Sequence, residues 1–132
     1  MIDRTPEIYC AIKADYDDYQ NAEMAANELS AIGISGIKIH KPLYSPVFNF
    51  DIAIVNNEAF WELDEALTKM FSKVDIHLET IKKIAKKYNG KICIDIAFYE
   101  YGTYPTLLFS GENMKKIRYL EADISIDPYS MV

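Results

Sequence analysis

A chain of 132 residues, half of them hydrophobic and 13% aromatic, has the length of one domain and too much apolar content to stay unfolded. Its formal net charge of −6 argues against nucleic acid as a main partner, since phosphate binding depends on concentrated positive charge, and favours a basic partner instead. Two cysteines, Cys10 and Cys93, are too few for a disulfide framework, and no apolar run reaches the roughly 18 residues of a membrane-spanning helix.

These limits predict a single α+β domain over residues 1–132, reduced and cytoplasmic, without a membrane. The opening segment Met1 to Glu7 carries two acids and no apolar stretch of the kind a secretory signal has. Charge is unevenly spread. Residues 1 to 68 hold four basic and twelve acidic groups, whereas residues 69 to 91 hold seven lysines against Asp75 and Glu79, which makes the chain a strong electric dipole.

Ile8, Cys10, Ile12 and Ala14 alternate with Tyr9 and Lys13, the period of two that marks a strand with one buried face. The acids from Asp15 to Asp18 suit a helix start, and Ala22, Ala25, Ala26, Leu29 and Ile32 form its apolar stripe before Gly33 ends it. Ile37 and Ile39 predict a short strand bracketed by Pro42 and Pro46. Phe48, Phe50, Ile52 and Ile54 then define a strand face, with Ala53 and Val55 on its reverse and Asn56-Asn57 as the closing turn.

Leu63, Ala66, Leu67, Met70, Phe71 and Val74 fit the helical template, and a second helix from His77 to Tyr88 buries Leu78, Ile81, Ile84 and Ala85. Asn89-Gly90 stops it. Ile92, Ile94, Ile96 and Phe98 predict another strand, joined as a hairpin to Thr106–Phe109 across the turn at Gly102. Ser110 caps a helix with Met114, Ile117 and Leu120 inward, and Ala122, Ile124 and Ile126 close the chain as a strand. Alternating strands of this kind predict a two-layer α+β sandwich: a mainly antiparallel mixed sheet of five to six strands with about four helices on one face.

The segments Ile94–Phe98, Pro105–Met114 and Leu120–Tyr129, with the strand at Tyr9, the Leu29–Gly33 turn and Trp61, resemble a widespread bacterial family. It is catalogued as domain of unknown function forty-two seventy-nine. The closing pattern Leu120-x-Ala122-x-Ile124-x-Ile126-Asp127-x-Tyr129 is its specific part, and the chain lacks the Gly-rich stretch usual before the tryptophan. The resemblance implies a fold without an assigned reaction, and some members look similar to immunity proteins that neutralise bacterial toxins.

Asp95, Asp123 and Asp127 are the candidate carboxylates, but Asp123 and Asp127 stand about 13 Å apart along one strand, too far to share an ion. His40 and His77 have no metal-ligand spacing, no serine or cysteine sits in a nucleophile motif, and no phosphate-binding glycine motif is present. No cofactor, metal or catalytic residue is therefore expected. Lys82, Lys83, Lys86 and Lys87 on one helix face, beside Tyr88, are the residues that would suit phosphates; as a solvated helix face they need no ligand. Tyr99, Glu100, Tyr101 and Tyr104 around the Gly102 turn are the candidate docking residues, since tyrosine concentrates at protein interfaces, although cross-strand aromatic pairing accounts for them too. The expected function is a non-catalytic binding protein for a basic protein partner, in the manner of an immunity protein that meets a toxin. The alternatives are an enzyme using the three aspartates, or a nucleic-acid module using the lysine helix.

Overall fold

The computed structural model describes residues 4–132, so expectations for Met1 to Asp3 lie outside it. Strand β1 runs over Arg4–Tyr16, helix α1 over Tyr19–Ala31 and strand β2 over Phe48–Ala59. Helix α2 spans Leu63–Ser72, α3 spans Leu78–Lys87, strand β3 spans Lys91–Tyr101, α4 spans Gly111–Tyr119 and β4 spans Asp123–Ser130. The sheet order is β2-β1-β3-β4. β1 pairs antiparallel with both of its neighbours, while β4 lies parallel to β3 after the α4 crossover. The class is thus α+β with a mixed sheet, as the alternation predicted.

Ile8, Cys10, Ile12, Ala14 and Tyr16 of β1 and Ile92, Ile94, Ile96 and Phe98 of β3 are buried on one face. The buried side chains of α1, α2, α3 and α4 join them in a single apolar cluster. Helices therefore cover one face of the sheet among the described residues. Asp18 caps α1 by accepting the Asn21 N–H at 2.7 Å, and Gly33, with φ of 99°, turns the chain away after it.

Four strands replace the expected five to six among the described residues, and both missing ones survive as isolated bridges. The 37–40 segment pairs with β2 only through His40 and Asn49, whose N–H groups donate reciprocally at 2.9 Å. Gly36, at φ of 76°, and Pro42 flank it and leave room for no longer ladder. Thr106 bridges Glu62 in parallel and forms no hairpin with β3. The reason is that β1 and β4 already occupy both edges of β3, so the chain after Gly102 has no edge to return to.

Two further readings are corrected by backbone geometry. Ala53 takes φ of 58° and Asn57 takes φ of 49°, and each marks an extra residue in β2 opposite β1. The first bulge reverses the alternation: Val55 is fully buried and Ile54 faces outward. The second lets the strand continue to Ala59 where a turn was expected. On α4 the inward residue is Asn113, only 1% exposed, and Met114 is exposed. The Asn113 amide donates to the Asp64 backbone oxygen at 3.3 Å, to Asp64 Oδ1 at 2.9 Å and to Thr68 Oγ1 at 3.0 Å. Burial alone would raise the Asp64 carboxyl, but hydrogen bonds from the Ser110 N–H and from Asn113 outweigh it and hold the group below the usual carboxylate range.

Replacing Asn113 by alanine strips buried partners from Asp64 and should cost about 1–3 kcal/mol of stability in urea unfolding. Gly90 offers a second check, because a Cβ there would lie 2.4 Å from Tyr16 Cε1, and the Tyr16 ring is fixed by burial and by stacking on Phe50 at 5.6 Å. Gly90→Ala should destabilise by about 1–3 kcal/mol, whereas Gly111→Ala, with open space around it, should change stability by less than about 0.5 kcal/mol.

Candidate functional site

The face of the sheet away from the helices is built by the odd-numbered residues of β1 and β3, because side chains alternate along a strand. Register lays them out in rows. Asp15 stands between Asn49 and Lys91, Lys13 between Asp51 and Cys93, and Ala11 beside Asp95. Tyr9 is opposite Ala97, and Glu7 is opposite Tyr99. In β4 the same face continues through Asp123, Ser125, Asp127 and Tyr129, the partners of Cys93, Asp95, Ala97 and Tyr99.

One end of this open face is aromatic. Tyr99 and Tyr129 stack with ring centroids 5.2 Å apart and planes within 14°. The Arg4 guanidinium lies 3.7 Å from the Tyr101 ring centroid, and the Tyr101 hydroxyl donates to Glu7. The rest of the face is acidic. Tyr9 donates to Asp51 Oδ2 at 2.8 Å, and burial, then the Asp51 carboxylate, hold its phenol well above the usual range. Asp15, Asn49 and Asp51 each bury a side-chain oxygen that no donor among the described residues satisfies.

Asp95 registers the combined field. Burial raises its carboxyl above the ordinary value; Lys13 opposes this, and Asp51, Asp127 and Asp15 raise it further. β3 and β4 are neighbours, and Asp95 sits opposite Ser125, diagonal to both Asp123 and Asp127 on one face. The three aspartates are therefore brought to one surface, with Asp123 and Asp127 exposed on the edge strand. Among the described residues no three His, Cys, Asp or Glu side chains are placed to hold a metal ion.

The four expected docking residues separate. Tyr99 and Tyr101 lie half-buried on the open face. Glu100 points to the helix side, 5% exposed, and its Oε2 accepts the Gly102 N–H at 2.7 Å, so it shapes the turn. Tyr104 is exposed but packs edge-on against Phe98 at 5.8 Å, which places it on the helix side. Tyr129, Tyr9, Asp15 and Asp51 take no part in the expected patch, yet they complete the surface. The available signal was parity: each falls on the polar phase of its own strand.

The other candidates resolve less favourably. Lys83 pairs with Glu79 at 2.9 Å, Lys86 with Glu121 at 3.0 Å and Lys87 with Glu28 at 3.1 Å, while Lys82 lies over the Tyr119 ring. Such exposed pairs add little stability, but they neutralise the stripe that phosphates would need. The Cys10 thiol is pushed up to about 12, chiefly by burial, and Cys93 is raised by burial as well, so neither favours a thiolate. A groove of about 370 Å³ at the β2 edge is lined by Gly33, Gly36, Asp51, Lys73 and His77. Lys73 Nζ donates there to the Ile54 carbonyl released by the bulge, and Asp51 is held by Tyr9.

An open-faced α+β sandwich with an acidic, tyrosine-bearing sheet surface is the class of protein that these observations define. Residues 52–131 match the family described as Domain of unknown function (DUF4279), and the chain belongs to that family. No curated protein and no solved structure matches the chain. No helix of the described residues is long and apolar enough to cross a membrane.

Asp95→Asn removes a carboxylate that is harder to ionise in the folded chain than in the unfolded one. Ionised Asp95 weakens the fold above its raised folded value, and this effect fades as pH falls toward the unfolded value of about 3.9. Thermal melts should therefore show Asp95→Asn more stable than the native chain at pH 7, with the difference vanishing near pH 4.

Proposed function

We propose that this chain is a non-catalytic binding protein whose open sheet face receives a basic protein surface, and that it acts in the cytoplasm as an immunity protein does when it neutralises a toxin. The observation that carries this reading is that strand register gathers Asp15, Asp51 and Asp127 on one sheet face around the Asp95 carboxyl. These three carboxylates bear on it across a face that, among the described residues, no helix covers, so a cation delivered by a partner relieves a repulsion already present. Asp123 and Asp127 extend the same charge to the edge, and opposite charge speeds encounter.

The Tyr99–Tyr129 stack supplies the contact area. Two tyrosines held against one another lose little rotamer freedom on binding and present polar tips to arginine or lysine groups. Lys13 is ringed by Asp51, Asp95 and Asp15, and Lys91 stands 3.7 Å from Asp123, so the cations of this face are outnumbered and the surface stays acidic.

Affinity capture from native cells tests the reading with three baits: the native chain, Asp95→Lys/Asp127→Lys, and Lys83→Glu/Lys86→Glu on the helix side. A basic protein retained by the first and third baits and lost at least about tenfold from the second is the expected result. Equal retention by the first two removes the open face as the binding surface. The captured protein should also lower the Asp95 carboxyl in NMR titrations, since its positive charge stabilises the carboxylate.

A further inference from the structure

We propose that two copies of this chain join edge to edge through β4, antiparallel about a twofold axis at Ile126, to form one continuous eight-stranded sheet. This surface differs from the open face, so either assignment can fail without the other.

β4 is the last strand of the sheet, and among the described residues its outer backbone has no strand partner. The Met131 N–H donates to the Glu100 carbonyl at 2.9 Å, which orients the odd-numbered residues of this segment toward β3. Backbone groups alternate along a strand, so Ile124, Ile126, Pro128 and Ser130 direct theirs outward. The missing N–H of Pro128 thus falls on the free side and costs the existing ladder nothing.

Side chains add the second observation. Ile124, Ile126 and Pro128 share the helix-side face with their register partners Ile94, Ile96 and Phe98. The β3 residues are buried beneath helices, whereas Ile124 is 39% exposed and Ile126 37% exposed. The helix layer stops one strand short and leaves an apolar margin along the edge, which Tyr104 on Phe98 continues. Exposed apolar margins on unpaired edges are what natural sheets cover or guard.

Charge selects the occupant and the register. About Ile126, antiparallel self-pairing sets Ile126 against itself, Ile124 against Pro128, Ser125 against Asp127 and Asp123 against Tyr129 of the second copy. The apolar residues meet on one face and no like charges meet on the other. Ile126 exchanges its N–H and C=O bonds with its symmetry mate, and each Ile124 N–H reaches a Pro128 carbonyl. Centring the axis on Ser125 opposes Asp123 to Asp127, and centring it on Asp127 opposes that residue to itself, so both neighbouring registers are repelled. Asp123 is in addition eased by Lys91, 3.7 Å away in its own copy. Of the registers centred on Ser125, Ile126 and Asp127, the Ile126 one alone opposes no like charges and sets the apolar residues against one another.

Sedimentation equilibrium of the full chain between about 1 and about 500 µM should show reversible dimerisation. Ile126→Lys, which sets two ammonium groups across the axis, should weaken it at least about a hundredfold, and so should Ile126→Glu. An equimolar mixture of the two variants should recover a heterodimer. In a Cys93→Ser background, oxidised Ile126→Cys should give a disulfide-linked pair, whereas Ile124→Cys, facing Pro128, should not. A native chain monomeric throughout overturns the proposal, as does a dimer untouched by both charge variants. Equal cross-linking at 124 and 126 rejects the register and with it the assignment. Ile126 lies on an exposed edge, so these variants are expected to fold; native-like circular dichroism checks this for each, and the cysteine pair reads the register independently of the charge variants.

Discussion

β1 is hydrogen-bonded along both edges for most of its length, and the remainder of the molecule is arranged around that saturation. A strand paired on both sides cannot rotate about its axis, so its even residues are committed to one face and its odd residues to the other. Ile8, Cys10, Ile12 and Ala14 then demand an apolar cover, which α1 and α2 supply. Tyr9, Lys13 and Asp15 are left on the opposite side by the same geometry. The candidate face is therefore a corollary of core packing: every residue that buries an isoleucine also fixes where the next side chain must point.

That reasoning explains what was legible in the chain beforehand. Period-two alternation in β1 and β3, the apolar stripe of α2 and the caps at Asp18 and Gly33 are local signals, and their residues occupy the expected places. The divergences arise where a nonlocal partner decides. Thr106–Phe109 has strand-like composition, but a strand exists only where an edge is free to receive it, and β3 had none left; Ile37–His40 meets the free edge of β2 through His40 alone, between Gly36 and Pro42. Ile54 and Val55 exchanged faces because a single residue, Ala53, adopts a left-handed conformation that the composition of the segment gives no reason to expect.

The candidate surface was partly visible for similar reasons. Tyr99 and Tyr101 follow from the alternation of their strand. The same alternation turns Glu100, an even residue of β3, to the helix side, whereas Tyr104 lies beyond the strand, where the direction of a side chain depends on how the backbone reverses. Parity gave the face of Tyr129, but its stacking partner was unreadable until β4 was known to lie parallel and in step with β3, the register that sets it on Tyr99. Asn113 hid behind its polarity: a helix face expected to be greasy instead carries an amide that satisfies Asp64 and Thr68.

The placement of β1 beside β3 also bears on how the chain comes together. Lys13 and Cys93 are neighbours in the sheet although 80 residues separate them, and the central seam joins the first strand to the third. Nothing between them can substitute for that closure. During synthesis, β1 must wait, paired at most with β2, until β3 has emerged, and folding of this kind belongs to the slower, topology-limited regime.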